Sequence, residues 1–329
     1  VPWSRVLTFD DPLHYQAAIR AGDWQVYPTK KGQFRAELTQ ITLNQLWMQS
    51  FHHGPQIQTG AVIPNRKVIG FLTEVRQPAV HHRGEEVSPH DVIANTNVMH
   101  IRAEGDCRYG GMSLPQDGFD AACQAIIGSQ FAQPSFKSVV RPNLELMRRL
   151  VNLQRSACLI AKTSPELFEL PEVVRAFEQN SIHLMVRCLT EGALSTMSSG
   201  AQRHEAIVKR FEEFLEANPN TPLYLAEICT AVGAAERTIR AACEDLVGMG
   251  PIRYLALRRM HLVRRALLRA DSSTATVTGI ATDHGFWELG RFAVAYRALF
   301  SEPPSATLRR PPEWRNSRSS RPSSLTQMV

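Results

Sequence analysis

Residues Leu225 to Leu308 read twice as helix, tight turn, helix, with a long arginine-rich helix between the two copies. In the first copy Leu225, Ile228, Val232, Ile239, Ala242 and Leu246 recur at helical spacing around Gly233. A sharp turn between two packed helices needs a left-handed residue, and glycine adopts that conformation without a Cβ clash. In the second copy Val277, Ile280 and Ala281 lead to Gly285, and Phe292, Tyr296, Leu299 and Phe300 follow at the same spacing. Two such units joined by one helix constrain this part of the chain to an all-α domain.

At 329 residues the chain is long enough for two domains with separate cores. Hydrophobic residues at 43% and charged residues at 21% exclude wholesale disorder and fibrous folds. No apolar run approaches the roughly 20 residues of a spanning helix, and no secretory apolar region is present, so neither a membrane nor export is expected. Cysteines 107, 123, 158, 188, 229 and 243 form no CxxC pair. They read as small buried hydrophobes in a reducing cytoplasm, in preference to a disulfide or zinc framework.

The net charge of +6 is concentrated where the double motif lies. Residues 251–310 hold ten arginines (253, 258, 259, 264, 265, 269, 291, 297, 309, 310) against four acids (271, 283, 288, 302), which is 10 − 4 = +6. The rest of the chain is therefore near neutral. A basic field on a double helix-turn-helix points to double-stranded DNA, with a solvated, salt-bridged helix as the plainer alternative.

Toward the N-terminus the period changes. A short helical pattern at Tyr15–Ile19 and an extended Trp24–Tyr27 precede alternation over Phe34–Gln40 and apolar runs at 43–48, 61–63, 68–72, 92–94 and 99–101. Gly, Pro and Asn punctuate these runs, which predicts an antiparallel barrel or sandwich over about 24–115. Helical spacing returns over about 143–190, in one helix with Leu144, Met147, Leu150, Val151, Cys158 and Ile160 and a second opened by Pro171. The second helix packs on the strands or forms a dimer contact. The expected domains are 1–190, a linker at 191–200, a helical domain at 201–312 and a disordered Pro/Ser/Arg-rich tail at 313–329.

The stretches LYLAEICTAVGAAERTIRAACEDLVGMGPIRYLALRRMHLVRRALL and VTGIATDHGFWELGRFAVAYRALFSEPPSATL resemble the DNA-binding domain of the AraC/XylS family of bacterial transcription regulators. The N-terminal part more loosely resembles the cupin-type sensor domain of such regulators. The resemblance implies an α+β multidomain chain: a cupin-like antiparallel β-barrel with following helices, then an all-α domain with two helix-turn-helix motifs on a linker helix. It implies a cytoplasmic regulator, an activator or a repressor, that binds a small molecule; the sequence leaves open both that molecule and the sign of the output. RNA polymerase and a second copy of the chain are further expected partners, and no cofactor is expected.

An α-helix fits the major groove, and its N-terminal half meets base edges. In the first recognition helix Arg237, Thr238, Arg240 and Ala241 lie off the Ile239/Ala242/Leu246 stripe and should face outward. Arg237 and Arg240 share a face and can each lie on guanine or clamp phosphate. In the second the outward set is Glu288, Leu289, Gly290, Arg291 and Val294, with Arg291 the only long donor. Arg258 and Arg265, seven residues apart on the joining helix, suit phosphate contact or packing within the domain. At ~1.5 Å per residue that helix can separate two recognition helices by about one DNA turn. Ala235 stands where a serine commonly caps the first recognition helix, and Gly279 where a glutamate commonly completes a capping box, each costing ~1 kcal/mol.

The rival reading is a metal-dependent cupin enzyme fused to a DNA-binding domain. Histidines 52, 53, 81, 82, 90 and 100 lie near Glu85 and Glu86, and His82, Glu86 and His100 are the candidate ligands. The spacing is poor, since Arg83 replaces the second histidine of the cupin His-x-His pattern after His81. No catalytic triad, phosphate-cradling loop or carboxylate pair stands out, so the chain is read as a regulator and not as an enzyme.

Overall fold

The structure is a computed structural model that describes residues 2–94, 98–128, 139–194, 199–218, 221 and 223–310. Its elements are, in order, β1 (Trp3–Phe9), α1 (Pro12–Ala18), β2 (Gly22–Pro28), β3 (Ala36–Thr42), β4 (Trp47–His53), β5 (Gln56–Val62), β6 (Arg66–Leu72), β7 (Val80–His82), β8 (Glu85–Glu86), β9 (Val92–Ala94), β10 (Val98–Ala103), β11 (Cys107–Pro115) and α2 (Gln116–Ile127). After β12 (Val139–Arg141) come α3 (Leu144–Thr163), a 3-10 turn (Pro165–Glu169), α4 (Pro171–Glu191) and β13 (Ala193–Leu194). The remainder is helical: α5 (Ser199–Ala217), α6 (Leu225–Val232), α7 (Glu236–Val247), α8 (Pro251–Arg269), α9 (Val277–Asp283), α10 (Leu289–Phe300) and α11 (Pro304–Leu308).

Contacts divide the chain into two compact units. The first takes in the chain up to Lys30, Phe34–Val208 and Arg237–Gly250; the second takes in Lys31–Gln33, Lys209–Glu236 and the chain from Pro251 on.

In the first unit the strands form two antiparallel sheets. One has the order β1-β3-β4-β11-β6-β9-β12-β13 and the other β2-β5-β10-β7-β8. Of the barrel or sandwich expected over about 24–115, the strands form two separate sheets and not a closed barrel, and they overrun that range at both ends. Within the expected linker, Ala193–Leu194 pair with Val140–Arg141 and Ser199 opens α5, while 195–198 lie outside the described residues. The tail at 313–329 also lies outside them.

The central strands of the larger sheet, β3, β4, β11 and β6, are buried on both faces. On one face Leu38, Phe51, Tyr109 and Leu72, in register across β3, β4, β11 and β6, join Trp24, Val26, Met99, Ile101 and Val80 of the smaller sheet in one core. On the other face Ile41, Met48, Met112, Ile69 and Phe71 pack with Phe119 of α2, Leu146, Met147 and Leu150 of α3, and Leu184 and Met185 of α4. Double burial removes the apolar/polar alternation that marks a half-solvated strand. The helices start as their sequences require: Asn143 accepts the Leu146 N–H at 2.9 Å to cap α3, and Pro171 occupies the first turn of α4. Cys107, Cys123, Cys188 and Cys243 are buried, Cys158 and Cys229 half-buried, and all six are free thiols.

In the second unit Met260, Val263 and Leu267 of α8 form a core with Ala281 of α9 and Phe292 and Tyr296 of α10. Phe286 reaches this core from the turn, with ring centroids 5.0 Å from Phe292. At its far end Glu302 accepts from Arg264, Thr307 and Arg310, each at 2.8 Å, and Tyr296 donates to Thr307 Oγ1 at 2.8 Å.

Candidate nucleic-acid interface

Both expected turns form around left-handed glycines. Gly233 (φ 67°) ends α6, and its N–H and that of Ala234 satisfy the Cys229 carbonyl at 3.0 and 3.2 Å. At the start of α6 the Glu227 carboxylate accepts the Tyr224 N–H at 3.0 Å. Gly285 (φ 78°) follows α9, with its N–H on Thr282 O at 2.9 Å and the Phe286 N–H on Ala281 O at 3.0 Å. Thr276 caps α9 by accepting the Gly279 N–H at 3.0 Å.

Helix α7 buries Ile239, Ala242, Cys243, Leu246 and Val247. Off that stripe Arg237 and Arg240 are exposed, while Thr238 and Ala241 are half-buried. Along α10, Phe292 and Tyr296 are buried. Arg291 is 86% exposed and Val294 72%, with Leu289, Glu288 and Gly290 also exposed. Arg291 pairs with Glu288 one turn earlier at 2.7 Å, a contact open to solvent that an anion can displace at small cost. Trp287, 70% exposed beside this face, was not singled out from sequence because it falls in the turn, where periodicity carries no signal.

The arginines of α8 divide by burial. Arg258 donates to Leu215 O at 2.6 Å, and Arg264, only 4% exposed, pairs with Glu302. Arg259 lies over the Phe286 ring at 5.5 Å. Arg265 is half-buried, whereas Arg253 and Arg269 are exposed. Part of the basic excess of residues 251–310 therefore serves packing.

The metal candidates do not converge. Across β7 and β8, His81 stands opposite Glu86 and His82 opposite Glu85, so His82 and Glu86 lie on opposite faces of the sheet. Ile101 stands opposite His82, which puts the neighbouring His100 on the other face as well. Burial pushes His82 down to about 3 and His100 down to about 4, so both are neutral imidazoles at physiological pH. Among the described residues no group of three or more His, Cys, Asp or Glu side chains is placed to hold a metal ion. No described helix is long and apolar enough to cross a membrane.

Residues 228–310 match the family model described as a helix-turn-helix domain. The chain is 31% identical over 120 residues to the XylDLEGF operon transcriptional activator 2 of Pseudomonas putida, covering 35% of this chain and 76% of that protein. It is 35% identical over 136 residues to the "Probable thc operon regulatory protein" of Rhodococcus erythropolis (39% and 41%). To the XylDLEGF operon transcriptional activator 3 of Pseudomonas putida it is 27% identical over 207 residues (62% and 60%). The chain thus spans between about two fifths and three fifths of the length of these last two relatives.

Proposed function

Because the chain belongs to the AraC/XylS family of bacterial transcription regulators, we propose that it is a ligand-responsive activator that binds double-stranded DNA through its two helix-turn-helix units. The observation that carries this reading is the repeated unit itself. Each copy has a left-handed glycine turn followed by a helix with exposed arginine, and the single 19-residue helix α8 lies between the copies in the chain. Arg237 and Arg240 are the base readers, helped by Thr238 and Ala241 at the groove wall. In the second unit Arg291 meets the backbone, Leu289 and Val294 offer apolar contact to thymine methyls, and Glu288 and Gly290 border them.

In this reading residues 201–312 are the DNA-binding part, 1–190 the sensor and 191–200 the connection. The facing sheets and the space between them support a cupin-like effector domain. A second copy of the chain is the further proposed partner, through the helices that follow the strands. The activator names of the relatives support RNA polymerase as a further partner, and the free thiols support a cytoplasmic setting. The names of these relatives are those of operon regulators, which favours regulation over the cupin-enzyme alternative.

Retention of host genomic fragments by the purified protein tests the proposal. A small set of fragments sharing two half-sites about one helical turn (~34 Å) apart is expected. Retention indifferent to sequence would overturn it.

A further inference from the structure

The two reading faces differ in chemistry. On α7 the exposed side chains at the start of the helix include Arg237 and Arg240, and among the described residues no large apolar side chain of that helix is exposed. The second unit is the reverse. Trp287 is 70% and Val294 72% exposed, Leu289 is exposed as well, and Arg291 beside them is paired with Glu288. An indole left in water forgoes one of the largest apolar burials a side chain can make, and here it does so next to two further exposed apolar groups.

The chain on either side of Trp287 is fixed. The Phe286 N–H donates to Ala281 O at 3.0 Å, and the Phe286 ring lies 5.0 Å from Phe292 and 5.5 Å from the Arg259 guanidinium. One residue further on, the Glu288 carbonyl accepts the Phe292 N–H at 2.9 Å. The indole is therefore carried on an anchored turn, and holding it against a partner costs little more than its own two χ angles. Gly290 leaves the neighbouring position bare. Nothing lies within 4 Å of a Cβ placed there, and its φ is not positive, so neither crowding nor backbone demands glycine. Gly290 and Val294 are four residues apart and share a helix face, which a flat partner can approach closely at the glycine. The surroundings select that partner. With ten arginines against four acids over residues 251–310, a second copy of this surface is repelled and a polyanion is attracted. The apolar group that double-stranded DNA presents in its major groove is the 5-methyl of thymine.

We infer that Trp287 is a specificity-determining residue of the second unit: its indole, with Leu289 and Val294, packs on thymine methyl groups, so that one half-site is read by hydrogen bonds from α7 and the other by its methyls. This rests on the DNA-binding reading and adds the residue and the base chemistry that select the second half-site.

The experiment uses the full chain and a retained duplex in which deoxyuridine replaces thymidine, one half-site at a time. The exchange removes only the methyl group and keeps base pairing. In one half-site it should weaken binding about fourfold for each contacted methyl, and in the other it should leave binding nearly unchanged. Trp287→Ala should weaken binding to the thymidine duplex about tenfold and remove most of the deoxyuridine effect. Its melting temperature should match the wild type, because the side chain supports no core. Trp287→Phe should keep part of the affinity and of the deoxyuridine effect, and Arg240→Ala should leave that effect intact. The inference is overturned if deoxyuridine is tolerated in both half-sites or acts alike in both, or if the retained sites hold no thymine. It is overturned equally if Trp287→Ala binds as the wild type does, keeps the full deoxyuridine effect, or loses binding only together with thermal stability. Sequence-selective retention alongside such a failure leaves the regulator reading standing, whereas retention indifferent to sequence removes that reading itself.

Discussion

Arg258 donates through Nη2 to the carbonyl oxygen of Leu215 at 2.6 Å, so a cation on α8 joins the Asn218 N–H, at 3.3 Å, on a carbonyl in the last turn of α5. A guanidinium held this way contributes to the fold before it contributes to DNA. Arg258→Ala should lower stability in denaturant titration by roughly 1.5–3 kcal/mol, the range for hydrogen bonds to charged groups. The salt dependence of DNA binding should stay as in the wild type. A slope reduced by about one with unchanged stability would make Arg258 a phosphate clamp instead.

The Glu302 cluster closes the second unit. Arg264 is 4% exposed, and Glu302 is the acid paired with it among the described residues. Glu302→Ala removes the carboxylate paired with that buried charge and should cost roughly 3 kcal/mol, measured by denaturant unfolding of the full chain. Tyr296→Phe, which leaves the Arg264–Glu302 pair in place and removes the hydroxyl bonded to Thr307, should cost about 1 kcal/mol. Equal losses for the two variants would contradict the ranking.

Three buried histidines should make the first unit acid-sensitive. Burial lowers His53 and His100 to about 4 and His82 to about 3, against an ordinary value of 6.5. The unfolded chain then takes up protons before the folded one does, so the contribution is complete above pH 6.5 and lost as pH falls toward 4. Each histidine adds up to about 1.4 kcal/mol per pH unit to the slope across that window. Chemical unfolding followed between pH 7 and 4 should show this slope, and His82→Gln should reduce it by up to about 1.4 kcal/mol per pH unit. A flat profile would mean that these imidazoles are protonated in the folded state.

Helix starts offer a gain as well as a loss. Thr276→Ala removes the cap of α9 and should destabilise by ~1 kcal/mol, while Ala235→Ser supplies the cap that α7 lacks and should stabilise by a similar amount. Thermal melts of the two variants check both signs.

The helices were legible because each buries one stripe. The bounds of α8 agree with the sequence reading, and Gly233 and Gly285 are left-handed as expected. The strands were harder. The apolar run at 43–48 was read as extended, but Asn44 and Gln45 form a turn whose amides are held by Glu178 of α4 at 2.8 and 2.6 Å. No local pattern announces a partner 133 residues away. Strand β1 and the register of β7 and β8 were invisible for the same reason, and the register is what separates His82 from Glu86 and His100. At the interface, helical spacing found Arg237, Arg240 and Arg291, but it could not find Trp287 in the turn, nor which arginines of α8 are occupied in packing.

The most direct test is a binding titration of the wild type and Arg240→Ala on a retained duplex and a scrambled one at several salt concentrations, with Arg265→Ala as the comparison. Arg240 is exposed on α7, whereas Arg265 is half-buried on α8. Arg240→Ala should cost roughly 1–3 kcal/mol on the retained duplex and little on the scrambled one, and it should relax preference at one base pair. Arg265→Ala should weaken both duplexes by a similar factor. If Arg240→Ala weakens both duplexes equally, or the wild type does not distinguish them, the exposed face of α7 does not read sequence and the account fails.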